Sequence, residues 1–99
     1  MSSYNDTLRK HRRLSILRFL KDCAMYSSNA SILEDVLNGM AVTSTRSQII
    51  TEIAWLSEQG FVTYEDRNDF VVVTATPSGV EIATGQATHP DIQRPGAVG

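Results

Sequence analysis

The chain has 99 residues, 41% of them apolar and 20% charged, with two histidines and one cysteine. That length suits one domain around one modest core, and a lone Cys23 excludes an internal disulfide and any all-cysteine metal site. No apolar run approaches the roughly 18 residues that cross a bilayer, and Met1-Ser2-Ser3-Tyr4 lacks the apolar heart of a signal peptide, so a reducing cytoplasm is the expected location.

The net charge of −2 hides an asymmetry. Residues 1–21 hold Arg9, Lys10, Arg12, Arg13, Arg18 and Lys21 against Asp6, a net of +5, while residues 22–99 hold three arginines against ten acids, a net of −7. A basic end on an acidic body suggests an anionic partner at the first helix; a solvated cationic helix face accounts for it equally well.

From Asp6 to Met25 the pattern is helical, with Ile16, Leu17, Leu20, Cys23 and Ala24 on one stripe that Leu14 and Phe19 widen. Asp6 suits the N-cap or the positive end of the helix dipole, and Tyr26-Ser27-Ser28-Asn29 interrupts the period. A second helix follows over Ala30 to Asn38, capped by Asn29 or Ser31, with Ile32, Leu33, Val36 and Leu37 facing inward. Asn38-Gly39 is its stop, with the glycine expected in the left-handed conformation. The link Met40-Ala41-Val42 is the expected site of a third strand.

Thr43, Ser44 and Thr45 each offer a capping hydroxyl, and Thr45 with Gln48 has capping-box spacing. Ile49, Ile53 and Leu56 then recur at i, i+4 and i+7, flanked by Ile50, in a helix expected to end near Gln59 with Gly60 behind it. Phe61 to Tyr64 and Phe70 to Thr74 are rich in β-branched and aromatic residues around the polar turn Glu65 to Asp69, which predicts a β-hairpin. Thr76-Pro77-Ser78-Gly79 starts a short helix that ends at Gly85. Residues 1–85 form the predicted domain, and residues 86–99, with Pro90 and Pro95 and no periodicity, a tail expected to be mobile unless something docks it.

Helix, helix, helix, hairpin, short helix is the order of an α+β winged helix-turn-helix: a three-helix core, a β-hairpin wing and a short C-terminal helix. The run Arg46 to Val62 resembles the recognition-helix-to-wing junction of winged-helix regulators, and Thr74 to Gly85 resembles the strand and helix that close such domains. Ile53-Ala54-Trp55-Leu56, Glu58-Gln59-Gly60 and Arg94-Pro95-Gly96 are similar to a small winged-helix family of Mu-like transposable phages and prophages. That resemblance implies the fold and an origin in phage or prophage, hence a bacterial host cell; it brings no established functional residues.

The expected function is a DNA-binding transcriptional regulator that acts as a homodimer, because one small reader spans few base pairs and a dimer reads two half-sites. A recognition helix presents its first residues to base edges in the major groove, which here means Thr45, Arg46, Ser47, Gln48 and Thr51. Arginine suits guanine and glutamine suits adenine as bidentate partners. Arg67 and Asn68 at the wing, with Arg9, Lys10, Arg12 and Arg13, are the expected backbone or minor-groove contacts. Against this stand Glu52 and Glu58 on the same helix, and Glu65, Asp66 and Asp69 around the single wing arginine. The alternative is a protein-interaction module without DNA binding, its partner a phage or host protein. Trp55, far round the helix from the apolar stripe, either packs at the domain edge under the tail or anchors a homodimer. Neither a histidine cluster, a nucleophile elbow nor a glycine-rich phosphate loop is present, so no enzyme, metal or cofactor is expected.

Overall fold

In the computed structural model, which describes residues 3–68 and 70–96, Ser3 rather than Asp6 opens the first helix, α1 (Tyr4–Asp22). Ser3 Oγ accepts from Asp6 N, and the Asp6 carboxylate accepts in return from Ser3 N, a reciprocal capping box that satisfies two otherwise orphaned donors. Asp69 and the tail residues 97–99, which the sequence reading included in the wing turn and the tail, lie outside the described residues. α1 ends at Asp22, three residues before the predicted Met25. A tight turn, Ala24–Tyr26, follows, in which Met25 (φ 58°) and Tyr26 (φ 56°) are left-handed.

Cys23 sits at this helix end, where burial pushes its thiol above the ordinary value and neighbouring Asp22 pushes it further. A raised thiol pKa means less thiolate at neutral pH. Cys23 should therefore react with iodoacetamide at pH 7.5 more slowly than glutathione does, as mass spectrometry against time would record; an equal or faster rate would contradict the burial.

The residues Ser27–Asn29 form a short strand, β1. This is where the third strand lies, not at Met40 to Val42. The latter segment is folded back on the end of α2 (Ala30–Gly39), with Met40 N donating to Val36 O and Leu37 O, and Val42 N donating to Leu37 O. Its backbone N–H groups are spent on closing the helix, so it has no donors left for a sheet. The left-handed residue there is Ala41 (φ 63°), not Gly39. Asn29 caps α2 through Ile32 N, which decides between the two predicted caps. Ile32 itself is exposed, contrary to expectation, and Ala30, Leu33 and Leu37 form the buried side.

α3 (Arg46–Glu58) starts with the predicted box: Gln48 N donates to Thr45 Oγ1, and Thr45 N donates to Gln48 Oε1. Gly60 follows at φ 82°, a conformation that costs a side-chain-bearing residue and costs glycine almost nothing. β2 (Val62–Arg67) and β3 (Phe70–Ala75) then form the antiparallel hairpin, with Val62 opposite Ala75 and Arg67 opposite Phe70. β3 is the central strand of the order β1-β3-β2, and Ser27 hydrogen bonds across to Thr74. α4 (Pro77–Thr84), capped by Thr76, lies against α1.

The molecule is thus a mixed α+β domain of four helices and a three-stranded antiparallel sheet. Ile16, Leu17 and Leu20 of α1 meet Leu33 and Leu37 of α2, Ile49, Ile53 and Leu56 of α3, Val62, Val73 and Ile82 in one core. Each such aliphatic side chain contributes about 1.5–3 kcal/mol by leaving water. No helix among the described residues is long and apolar enough to cross a membrane.

The described part of the tail, residues 86–96, does not hang free. Ile92 is 3% exposed and joins the core. Ala87 N donates to Glu81 O, Gln93 N to Lys10 O, and Asp91 O accepts from Arg13. Ile92, backbone hydrogen bonds and an arginine dock it together.

Candidate functional site

Two local devices shape the segment between α2 and α3. Asn38 bridges the turn: its side-chain amide donates to Glu34 O and Ser44 O and accepts from Ser44 N, at 2.8–2.9 Å. Ser44 Oγ donates to Val42 O. The first turn of α3 therefore leaves α2 at a geometry set by side chains as well as by the chain path.

α1 reaches the same turn from the other side. Arg12 Nε donates to Ser44 Oγ at 2.7 Å, and its Nη2 donates to Thr43 O at 2.9 Å and Gln48 Oε1 at 3.4 Å. Arg12 is 2% exposed, and burial lowers its pKa below the ordinary value, partly offset by the nearby Glu52 charge. One turn further along α3 from Gln48, Glu52 accepts from Arg13 Nε at 2.7 Å through Oε1 and from Arg9 Nε at 3.0 Å through Oε2. Arg13 Nη1 donates to Asp91 O, and its guanidinium carbon lies 3.9 Å above the Trp55 ring. His89 meets Trp55 and Phe61 edge-on, at centroid distances of 5.2 and 5.9 Å.

The predicted backbone-contacting cations therefore part company. Arg12 and Arg13 are interior, because α1 lies at the centre of the fold with α3 and the tail over these positions. Both are withdrawn as phosphate contacts by these bonds. Arg9 stays half-exposed while bound to Glu52, and Lys10 is partly covered where its carbonyl receives Gln93 N. Arg46, Ser47 and Thr51 are exposed along the N-terminal half of α3, as are Thr45 and Gln48, whose capping oxygens are already engaged. Thr45, Ser47, Gln48 and Thr51 border an open cleft of 670 Å³, closed on its far side by Tyr4, Leu8 and Arg9 of α1. At the hairpin tip Asn68 takes φ 49°, and Arg67 Nε is bound to Glu65 at 2.9 Å, with Asp66 exposed beside them. Among its described residues the wing thus offers two acids, Glu65 and Asp66, and an arginine already paired with the first of them. Trp55 is half-covered, lying beneath His89 and Arg13 under the tail.

Glu52, which stands against DNA binding because it shares α3 with the reading residues, is not on the exposed face of that helix. It is 2% exposed, between Ile49 and Ile53 on the core side of α3. The signal in the sequence was its position, a charge inside the apolar stripe, in a chain whose first helix is rich in arginine. Ser44, Asn38 and Asp91, which complete the network, carried no comparable signal.

No family model matches the chain. It is 42% identical over 91 residues to the uncharacterised protein gp26 of Escherichia phage Mu, spanning 92% of this chain and 94% of that protein. It is 31% identical over 83 residues to an uncharacterised protein of Haemophilus influenzae strain KW20 Rd, spanning 83% of this chain and 80% of that protein.

Proposed function

This chain belongs to the family of the phage Mu protein gp26, and from that premise we propose that it is a winged-helix DNA-binding protein, a phage or prophage transcriptional regulator with α3 as its reading helix. The order of helices, the hairpin and the short strand β1 beside it are compatible with that fold. One observation carries the reading. Glu52 is turned inward and neutralised by two arginines, so the exposed N-terminal half of α3 presents Arg46, Ser47 and Thr51 with no carboxylate among them. Glu58 is exposed but stands at the far end of the helix. A lone cation flanked by hydroxyls at a helix start suits a guanine edge and its neighbouring phosphates. Two copies on two half-sites extend the few base pairs that one copy spans.

The test is titration of fluorescent duplexes, random and phage-derived, over a salt series. Binding should weaken steeply with salt, and Arg46→Ala should cost about 1–3 kcal/mol on the preferred duplex. A folded protein that binds no duplex at low salt would sink the proposal.

The acidic wing favours a second reading. Arg67 is spent on Glu65, which leaves the exposed Asp66 to set the sign of the hairpin among its described residues, so this hairpin repels a phosphate backbone and attracts a basic protein segment. A module that binds a phage or host protein would use the hairpin and leave Arg46 idle.

A further inference from the structure

Gln48 stands at the third position of α3 and has the chemistry to read adenine, which requires its Oε1 to accept while its amide nitrogen donates. That oxygen is already taken. It receives Thr45 N at 2.9 Å and Arg12 Nη2 at 3.4 Å. Reading a base would break the cap of the helix that carries it. Arg12 meanwhile spends its guanidinium on Ser44 Oγ, Thr43 O and Gln48, three points on the turn and the first turn of α3. A planar fork holding three acceptors fixes distance and orientation together, which a lysine's point charge does not.

Resting on the DNA-binding reading above, we propose that Arg12 is a positioning residue for the reading helix and that Gln48 belongs to its clamp. Base preference then falls to Arg46, Ser47 and Thr51. Arg12 never touches the duplex; it sets how the first turn of α3 stands relative to α1. Losing it loosens that turn, which lowers affinity for every sequence by a similar factor and leaves the preferred bases unchanged. Losing Gln48 weakens the cap and likewise leaves the preference intact.

The test is selection and sequencing from a random duplex pool, with affinities on the preferred and on a random duplex. The proteins are the full chain and its variants Arg12→Ala, Arg12→Lys, Gln48→Ala and Arg46→Ala, with Ile82→Val as a core-weakened control. Arg12→Ala should weaken both duplexes alike by about tenfold, the scale of one charge-assisted hydrogen bond. Arg12→Lys should recover part of that loss, and Ile82→Val should lose none. Gln48→Ala should keep the base preference and lose less than about fivefold, below the worth of a bidentate base contact. Arg46→Ala should alter the preference. Loss of preference at one adenine in Gln48→Ala overturns the proposal, as does wild-type affinity in Arg12→Ala. If Arg12→Ala does not fold, Arg12→Lys and Gln48→Ala decide the matter. A wild-type protein that selects no duplex overturns the DNA reading itself and this proposal with it, an outcome visible before any variant is compared.

Discussion

Glu52→Ala is expected to destabilise the fold by about 3–5 kcal/mol, the scale of breaking a buried ion pair from one side. The carboxylate is 2% exposed and accepts from both Arg13 at 2.7 Å and Arg9 at 3.0 Å. Arg9 can turn outward when the acid is lost, since it is already half-exposed. Arg13 cannot: its other bonds hold it to Asp91 O and over the Trp55 ring, so its charge stays in the interior without a counter-ion. Domains of this size are stable by only about 5–15 kcal/mol in all, so this single change removes a large part of the margin. Urea unfolding followed by tryptophan fluorescence measures it, with Trp55 as the only tryptophan. Adding Arg13→Ala to Glu52→Ala should cost less than the sum of the two single changes, by a coupling of about 0.5–3 kcal/mol. A loss below about 1 kcal/mol for Glu52→Ala would place the pair in the class of surface ion pairs and contradict the burial.

That network also explains what could be read from residues and what could not. The starts of α3 and α4 were legible because their determinants are local: Thr45 with Gln48, and Thr76 with Pro77 behind it, act within one helical turn. The core stripe of α3, and that of α1 as far as Leu20, were legible for the same reason, as both follow helical spacing; Cys23 and Ala24, expected on the same stripe, lie past the end of α1, and Ala24 is exposed. The inward arginines were not. Which side of a cationic helix faces solvent depends here on Glu52, Ser44 and Asp91, which are 32–78 residues away in the chain. Charge counting therefore placed on the surface two cations that the fold keeps inside.

β1 escaped notice because Ser27, Ser28 and Asn29 have no strand pattern; the segment pairs because β3 leaves one side open beside it. The prolines and missing period of the tail gave no sign of what docks it, because Arg13 and the carbonyl of Lys10 hold its backbone from far away in the chain. On the candidate reading face, the chemistry of Arg46, Ser47 and Thr51 was visible from residue type and position. The engagement of Gln48 with Arg12 was not, because it joins two helices distant in sequence.

Gly79→Ala tests the packing that seats α4, and here two effects of opposite sign compete. In an open helix the change should stabilise by about 0.8–1 kcal/mol, because alanine is the better helix former. At this position a methyl group has no room: it would overlap the Phe61 carbonyl oxygen and come within 3.2 Å of Leu17 Cδ2. The carbonyl cannot simply swing away. It accepts from Thr76 N at 3.0 Å, and Thr76 Oγ1 in turn donates to Gly60 O at 2.7 Å and accepts from Gly79 N at 3.1 Å. Relief of the overlap must move the start of α4 away from the α3–β2 junction and disturb Leu17 in the core. Overpacking of this kind costs about 1–3 kcal/mol where side chains can give way, and an obstructing backbone puts the cost at the upper end, well above the gain in propensity. The net cost of about 2 kcal/mol should lower the melting temperature by roughly 8–16 °C, at about 4–8 °C for each kcal/mol in a domain of this size. Thermal unfolding followed by circular dichroism reads the shift. An unchanged or raised melting temperature would mean that α4 does not sit against Phe61. Because Gly79 lies away from Arg46 and Arg12, the folded fraction of this variant should bind duplexes as the wild type does, which separates loss of the scaffold from loss of the reading helix.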